Sequence, residues 1–142
     1  MEIRSPQTKE EWNRYYQLRW EVLRKPWNQP WGSEKSSEED LFFHIAAFVS
    51  NQVIGVGCLK MNNDYEGQIR FMAVDLTVQR KGVGVSIMKA LEENAKEKGV
   101  NTLVLHAREL AIPFYKHCGY TLIEKSYLLF DSIQHYLMSK QC

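Results

Sequence analysis

Between Gly82 and Lys98, apolar side chains recur at Val83, Ile87, Met88, Leu91 and Ala95, one stripe of an α-helix with charges opposite. Gly99 stops that helix. Such a stripe must be covered, and the segments on either side supply a sheet. Upstream, Phe43 to Val49 and Val53 to Met61 are β-like runs joined by Ser50-Asn51-Gln52, a hairpin signal. A second turn, Asn62 to Gly67, leads to a third strand, Ile69 to Leu76. Downstream come a strand at Thr102 to Ala107, a short helix at Glu109 to Cys118 ended by Gly119, and closing strands at Tyr120 to Phe130 and His135 to Met138. Ahead of the meander, Met1 to Arg4 is a short strand. Thr8 and Glu11 then make a capping box for a helix reaching about Arg24, with Trp12, Tyr15, Tyr16, Val22 and Leu23 on its buried stripe. Pro26 to Asp40 is a loop or broken short helix. A meander combined with crossover helices predicts an α+β fold around one mixed sheet.

Composition bounds the function. A chain of 142 residues is the length of one domain, spanning 1–142. Eighteen Lys+Arg against seventeen Asp+Glu leave +1, which argues against a nucleic-acid or anionic-membrane partner. The longest nearly apolar stretch, Leu41 to Val49, is too short to cross a bilayer, and Met1-Glu2-Ile3-Arg4 does not start a signal segment. Cys58, Cys118 and Cys142 are odd in number and fall in no paired spacing, so a reducing cytoplasm is expected. Four histidines without HExxH or CxxC partners predict no metal site.

The stretch from Val74 to Val85 carries the chemistry. A strand runs into a loop that opens the long helix with two glycines, Gly82 and Gly84, beside Arg80 and Lys81. The first amides of a helix have no internal partner and sit at the positive end of its dipole. Small residues there let an anion reach those amides, and a pyrophosphate is the natural occupant. The same glycines could equally make a tight turn beside a solvated basic pair. The pattern is neither a dinucleotide fingerprint nor a P-loop.

Gln79-Arg80-Lys81-Gly82-Val83-Gly84 resembles the Gln/Arg-x-x-Gly-x-Gly/Ala signature of the GNAT superfamily of acyl-CoA N-acyltransferases. Arg108 to Tyr120, with Phe114-Tyr115 and Gly119-Tyr120, is similar to that superfamily's second signature, one helix and one strand downstream. Phe130 to Met138, with Leu18-Arg19, is similar to a bacterial ElaA-like branch.

The resemblance implies a mixed, mostly antiparallel sheet of about six to seven strands, about four flanking helices and a splayed central strand pair. It implies acetyl-CoA as acyl donor, without a metal, and transfer of the acetyl group to a primary amine of a small molecule or peptide by direct attack in a ternary complex. A non-catalytic acyl-CoA sensor or interaction module is the alternative. By the same resemblance, backbone groups of Met72 and Val74 contact the pantetheine arm, and Gln79, Arg80, Lys81, Gly82, Val83, Gly84 and Val85 hold the pyrophosphate. The Val74 amide becomes the donor to the thioester oxygen, and Tyr115 the acid that protonates the leaving thiolate.

A base is harder to place. Where some members carry a glutamate this chain has Gln68, Glu66 is assigned to the turn, and His106 is the remaining candidate. On the acceptor side, Arg19 and Trp27 are candidate substrate contacts. An arginine inside an otherwise apolar stripe needs a partner, either an internal carboxylate or a ligand. The exposed last strands could pair across a two-fold axis, giving a homodimer.

Overall fold

The computed structural model describes residues 1–78 and 81–142. The cofactor contacts expected of Gln79 and Arg80 lie outside the described residues. The strands are β1 (Glu2–Arg4), β2 (Phe43–Val49), β3 (Gln52–Met61), β4 (Glu66–Val74), β5 (Thr102–Arg108), β6 (Thr121–Leu129) and β7 (Ile133–Gln141). The α-helices are α1 (Lys9–Leu23), α2 (Val83–Glu97) and α3 (Ile112–His117). Seven strands form one sheet in the order β1-β2-β3-β4-β5-β7-β6. All neighbours are antiparallel except β4 and β5, which α2 joins as a crossover.

Local chemistry explains the starts and turns. Thr8 Oγ1 accepts the Glu11 amide at 3.1 Å, and the Glu11 carboxylate takes the Thr8 amide in return. Arg4 clamps that carboxylate with two contacts of 2.9 and 2.7 Å, and holds its pKa down at about 2. Ser50 and Asn51 both take positive φ, as a two-residue turn matched to strand twist requires. Pro26 to Asp40 is a loop with a 3-10 turn at Lys25–Trp27, and a second 3-10 turn runs from Glu39 to Leu41. Among the described residues three α-helices therefore stand where about four were expected. Glu66 opens β4 rather than lying in a turn: its carbonyl takes the Asn62 amide at 2.9 Å, tightening the hairpin.

The two faces of the sheet bury different clusters. Under α2 lie Ile45, Ala47, Leu59, Ile69, Leu103, Leu105 and Ala107, packed against Val83, Ile87, Met88 and Leu91. Under α1 lie Ala46, Phe48, Val56 and Ala73 against Tyr15, Leu18 and Leu23. Two glycines in β3 let α2 sit close. A Cβ on Gly55 would meet Ile87 Cδ1 at 2.6 Å, and one on Gly57 would meet Ile87 Cγ2 at 3.0 Å and Leu91 Cδ1 at 3.1 Å.

β4 and β5 pair only from Glu66↔Thr102 to Gln68↔Val104, then separate. The cause is visible in β4. Between the pairs Val56↔Ala73 and Cys58↔Arg70, β4 has Phe71 and Met72 where β3 has Gly57 alone, a β-bulge with Phe71 at φ +54°. A bulge bends its strand and re-aims a side chain. Here it swings β4 away from β5 and puts Phe71 on the α1 face beside Arg70, while Met72 and Val74 face α2.

Candidate active site

The gap between the parted strands opens into a cavity of about 1300 Å³ that runs from the start of α2 to the loop after α1. Its α2 end is lined by Gly82, Gly84, Val85, Phe114 and Tyr115. Its other end is lined by Arg24, Trp27, Tyr127 and His135, and Gln68 to Val74 and His106 form the walls between.

Ladder geometry fixes which backbone groups face the gap. The Asp75 amide donates to the Ile54 carbonyl at 2.9 Å, so residues 75 and 54 form a hydrogen-bonded pair. Val74, opposite Gly55, belongs to the alternating set whose N–H and C=O point away from β3. Val74 therefore turns its backbone toward the β5 side of β4, while Met72 sits in the bulge, where the alternation is interrupted.

At the α2 end, Gly82 is the N-cap with φ +81°, a conformation that side chains rarely tolerate. Among the described residues no side chain caps the helix, and its first internal bond is Ser86 N–H to the Gly82 carbonyl at 3.1 Å. The amides of Val83, Gly84 and Val85 precede that bond, where a helix leaves donors for an anion. Lys81 is exposed beside them. Gly84 has a different reason to be small: a Cβ there would lie 3.0 Å from Phe114 Cζ and 3.6 Å from Val74 Cγ2. The glycine closes α2 onto α3 and the gap.

Tyr115 follows Phe114 in α3, their rings 5.1 Å apart, with Tyr120 at 6.2 Å beyond. Burial pushes its phenol above the ordinary value near 10, more than nearby Arg108 lowers it. The hydroxyl makes no hydrogen bond among the described residues. His106 Nδ1 lies 2.9 Å from Ser126 Oγ, and burial and the Arg70 charge both lower the ring's pKa, so the imidazole is neutral at pH 7.

His135 was not anticipated. Its Nδ1 lies 3.0 Å from the Ile133 carbonyl, an acceptor only, which puts the proton on Nδ1 and leaves Nε2 with its lone pair. Burial lowers its pKa and its ring stacks on Tyr127 at 4.4 Å, on the same cavity wall as His106. The sequence signal was its place in an alternating final strand, but nothing in that pattern says which face holds the cavity.

Of the two expected acceptor contacts, Trp27 lines the cavity and Arg108 lies 4.5 Å over its ring. Arg19 does not line it. The side chain is fully buried, 2.8 Å from Glu39 Oε1 and 3.1 Å from Tyr15 Oη, with the Phe71 ring 4.4 Å below. An internal carboxylate, not a ligand, answers its charge. That corrects the placement of Arg19 at the acceptor, and gives it the task of holding the bulge residue Phe71 against α1.

A sheet that parts between β4 and β5 beside the open start of a helix is the class of architecture suited to an extended ligand with an anionic group. Comparison with known proteins makes the class particular. The sequence matches the Acetyltransferase (GNAT) family over residues 12–120, and the chain belongs to that family. It is 33% identical over 125 residues to YjcF of Bacillus subtilis, described as an uncharacterized N-acetyltransferase, covering 88% of this chain and 89% of that one. By structure it superposes on an aminoglycoside 6'-N-acetyltransferase complexed with coenzyme A, with TM-score 0.84 and 14% identity, covering 99% and 97% of the two chains. It also superposes on a GNAT family acetyltransferase from Elizabethkingia anophelis with acetyl-CoA bound, at TM-score 0.73 and 16% identity, covering 89% and 90%. The protein is therefore an N-acyltransferase of the GNAT family. Among the described residues, no helix is long and apolar enough to cross a membrane.

Proposed function

We propose that the protein moves an acetyl group from acetyl-CoA to a primary amine of a small molecule or peptide, by direct attack within a ternary complex in the cytoplasm. The observation that carries this reading is the continuity of one cavity from the α2 start, through the β4–β5 gap, to a separate acceptor end. Two substrates can be present at once.

Bound acetyl-CoA supplies a thioester whose C–S bond breaks as the C–N bond forms. The chain's own residues do the rest. Backbone groups of Met72 and Val74 on the gap edge of β4 hold the arm, and the Val74 amide polarises the carbonyl oxygen. Lys81, Gly82, Val83, Gly84 and Val85 receive the diphosphate. His106, neutral at pH 7, takes a proton from the incoming ammonium. The Tyr115 hydroxyl, kept protonated by burial, gives one to the departing sulfur and regains one from the nitrogen, which sheds its second proton as the amide forms.

We also propose that two copies pair through the edge strand β6, where Leu122, Ile123, Tyr127 and Leu128 are exposed.

The test is thiol release across an amine panel with both substrates varied. A ternary complex gives intersecting initial-rate lines; parallel lines would mean an acetylated enzyme and overturn direct attack. Acetyl-CoA binding with no release on any amine would favour the sensor module. Sedimentation of the same preparation at twice the chain mass reads the pairing.

A further inference from the structure

We infer that the acceptor amine carries an anionic group of its own, a carboxylate or a phosphate, received by Arg70, Arg108 and Arg24. The inference rests on the acyl-transfer reading of the cavity and names the substrate class for its acceptor end.

Three elements bring these guanidinium groups to one wall. Arg70 precedes the β4 bulge, Arg108 ends β5, and Arg24 follows α1; all three line the cavity. In the strands, Arg70, His106 and Arg108 alternate with Ile69, Leu105 and Ala107, which pack under α2. The arginines therefore lie on the α1 face of the sheet, opposite the helix start that takes the diphosphate.

None of the three joins an ion pair among the described residues. Arg24 spends its donors on backbone carbonyls, Ser33 at 3.1 Å and Leu23 at 3.0 Å. Arg108 has one long contact, 3.4 Å, to the Leu23 carbonyl. Arg70 has only ring faces, Phe71 at 4.6 Å and Phe42 at 5.8 Å. Of the carboxylates among the described residues, Glu109 alone lines the cavity. Glu34 acts on Arg24 from a distance, its Oε1 taken by the Gly32 amide at 2.8 Å. The contrast with Arg19 is informative: the cation buried away from the cavity has Glu39, while the three on its wall have no such partner.

Their mutual repulsion is felt. Burial and the neighbouring arginines lower the pKa of Arg24, and burial and Arg24 lower that of Arg108. His106 and His135 add no charge while neutral. Half-buried cations that repel one another are stabilised by an anion, and a guanidinium flat on an aromatic ring presents a fixed fork to one. A polyamine or other polycation meets like charge here and is disfavoured.

The experiment compares matched amines: L-amino acids with a free α-carboxylate against their α-carboxamides, and phosphoethanolamine against ethanolamine. Rates are taken per unbound free-base amine, because amidation itself makes the amine easier to deprotonate. The anionic member of a pair is expected to show kcat/KM at least about tenfold higher, the scale of one charge-assisted contact. The pair with the larger ratio tells carboxylate from phosphate. Arg70→Gln raises KM for the anionic member about tenfold more than for the neutral member and leaves the acetyl-CoA Kd unchanged, while any change in kcat from the loss of its charge beside His106 is shared by both members. Arg24→Gln acts in the same direction and serves if the β4 variant misfolds.

A readout without turnover accompanies this: calorimetric titration of N-acetylated amino acids, as carboxylates and as amides, into the wild type and Arg70→Gln. Tighter binding of the carboxylate, lost in the variant, supports the inference. Equal rates for charged and amidated forms, or faster transfer to spermidine, overturns it. If no amine is acetylated, the transfer reading fails separately, and carboxylate binding that depends on Arg70 still decides the anion site.

Discussion

Replacing Tyr115 by phenylalanine is expected to lower kcat by roughly 100-fold or more, the usual contribution of a positioned acid, while the Kd for acetyl-CoA stays within a factor of about two. The ring remains, so the contacts to Phe114 and Tyr120 remain with it. Only the hydroxyl is lost. That hydroxyl makes no hydrogen bond among the described residues, so its removal leaves no orphaned partner there and thermal stability should hardly move. The pH dependence carries the same signature. Burial raises the phenol above its ordinary value, so the protonated form required of an acid persists to higher pH than for a free tyrosine. The wild-type rate should therefore show no alkaline fall from this group below about pH 10. A Tyr115→Phe enzyme with unchanged kcat would remove the acid assignment.

The second large effect is expected at the start of α2. Gly82 holds φ +81°, and among the described residues nothing lies within 4 Å of where a Cβ would stand, so the constraint seen there is backbone conformation. Valine forced into that region costs about 1–3 kcal/mol, and the loop relieves it by turning the first helix amides off their target. Gly82→Val should then weaken acetyl-CoA binding by about 10- to 100-fold, with the core under α2 intact. Gly84→Val should behave differently. Its side chain would press on Phe114, the neighbour of Tyr115, so kcat and binding fall together. Calorimetry and steady-state rates on the two variants separate a conformational role from a packing role.

The parts of this molecule set by local chemistry were legible in its sequence. The Thr8–Glu11 capping box, the Ser50-Asn51 turn and the α2 stripe are each written in a few adjacent residues. The bulge was not. Phe71 is a bulky residue in a left-handed conformation, and no strand pattern announces that; it exists because Arg19 and α1 hold its ring from one side. Without the bulge, the splay has no local cause, and the wall it creates cannot be drawn. Arg70 and Arg108 were visible as residues on one face of their strands, yet whether that face met solvent, core or cavity depended on the strands parting after Gln68. Arg19 shows a middle case. Its place in an apolar stripe demanded a partner, and the loop after α1 offers Glu34, Glu38, Glu39 and Asp40; only the path of that loop selects Glu39. His135 was hidden for the same reason as the arginines.

Titrating acetyl-CoA into the folded protein by calorimetry is the decisive measurement. One saturable site per chain is expected, weakened in Gly82→Val and left alone in Tyr115→Phe. An absence of heat at millimolar acetyl-CoA, or equal affinity in wild type and Gly82→Val, would contradict the placement of the donor along β4 and the start of α2.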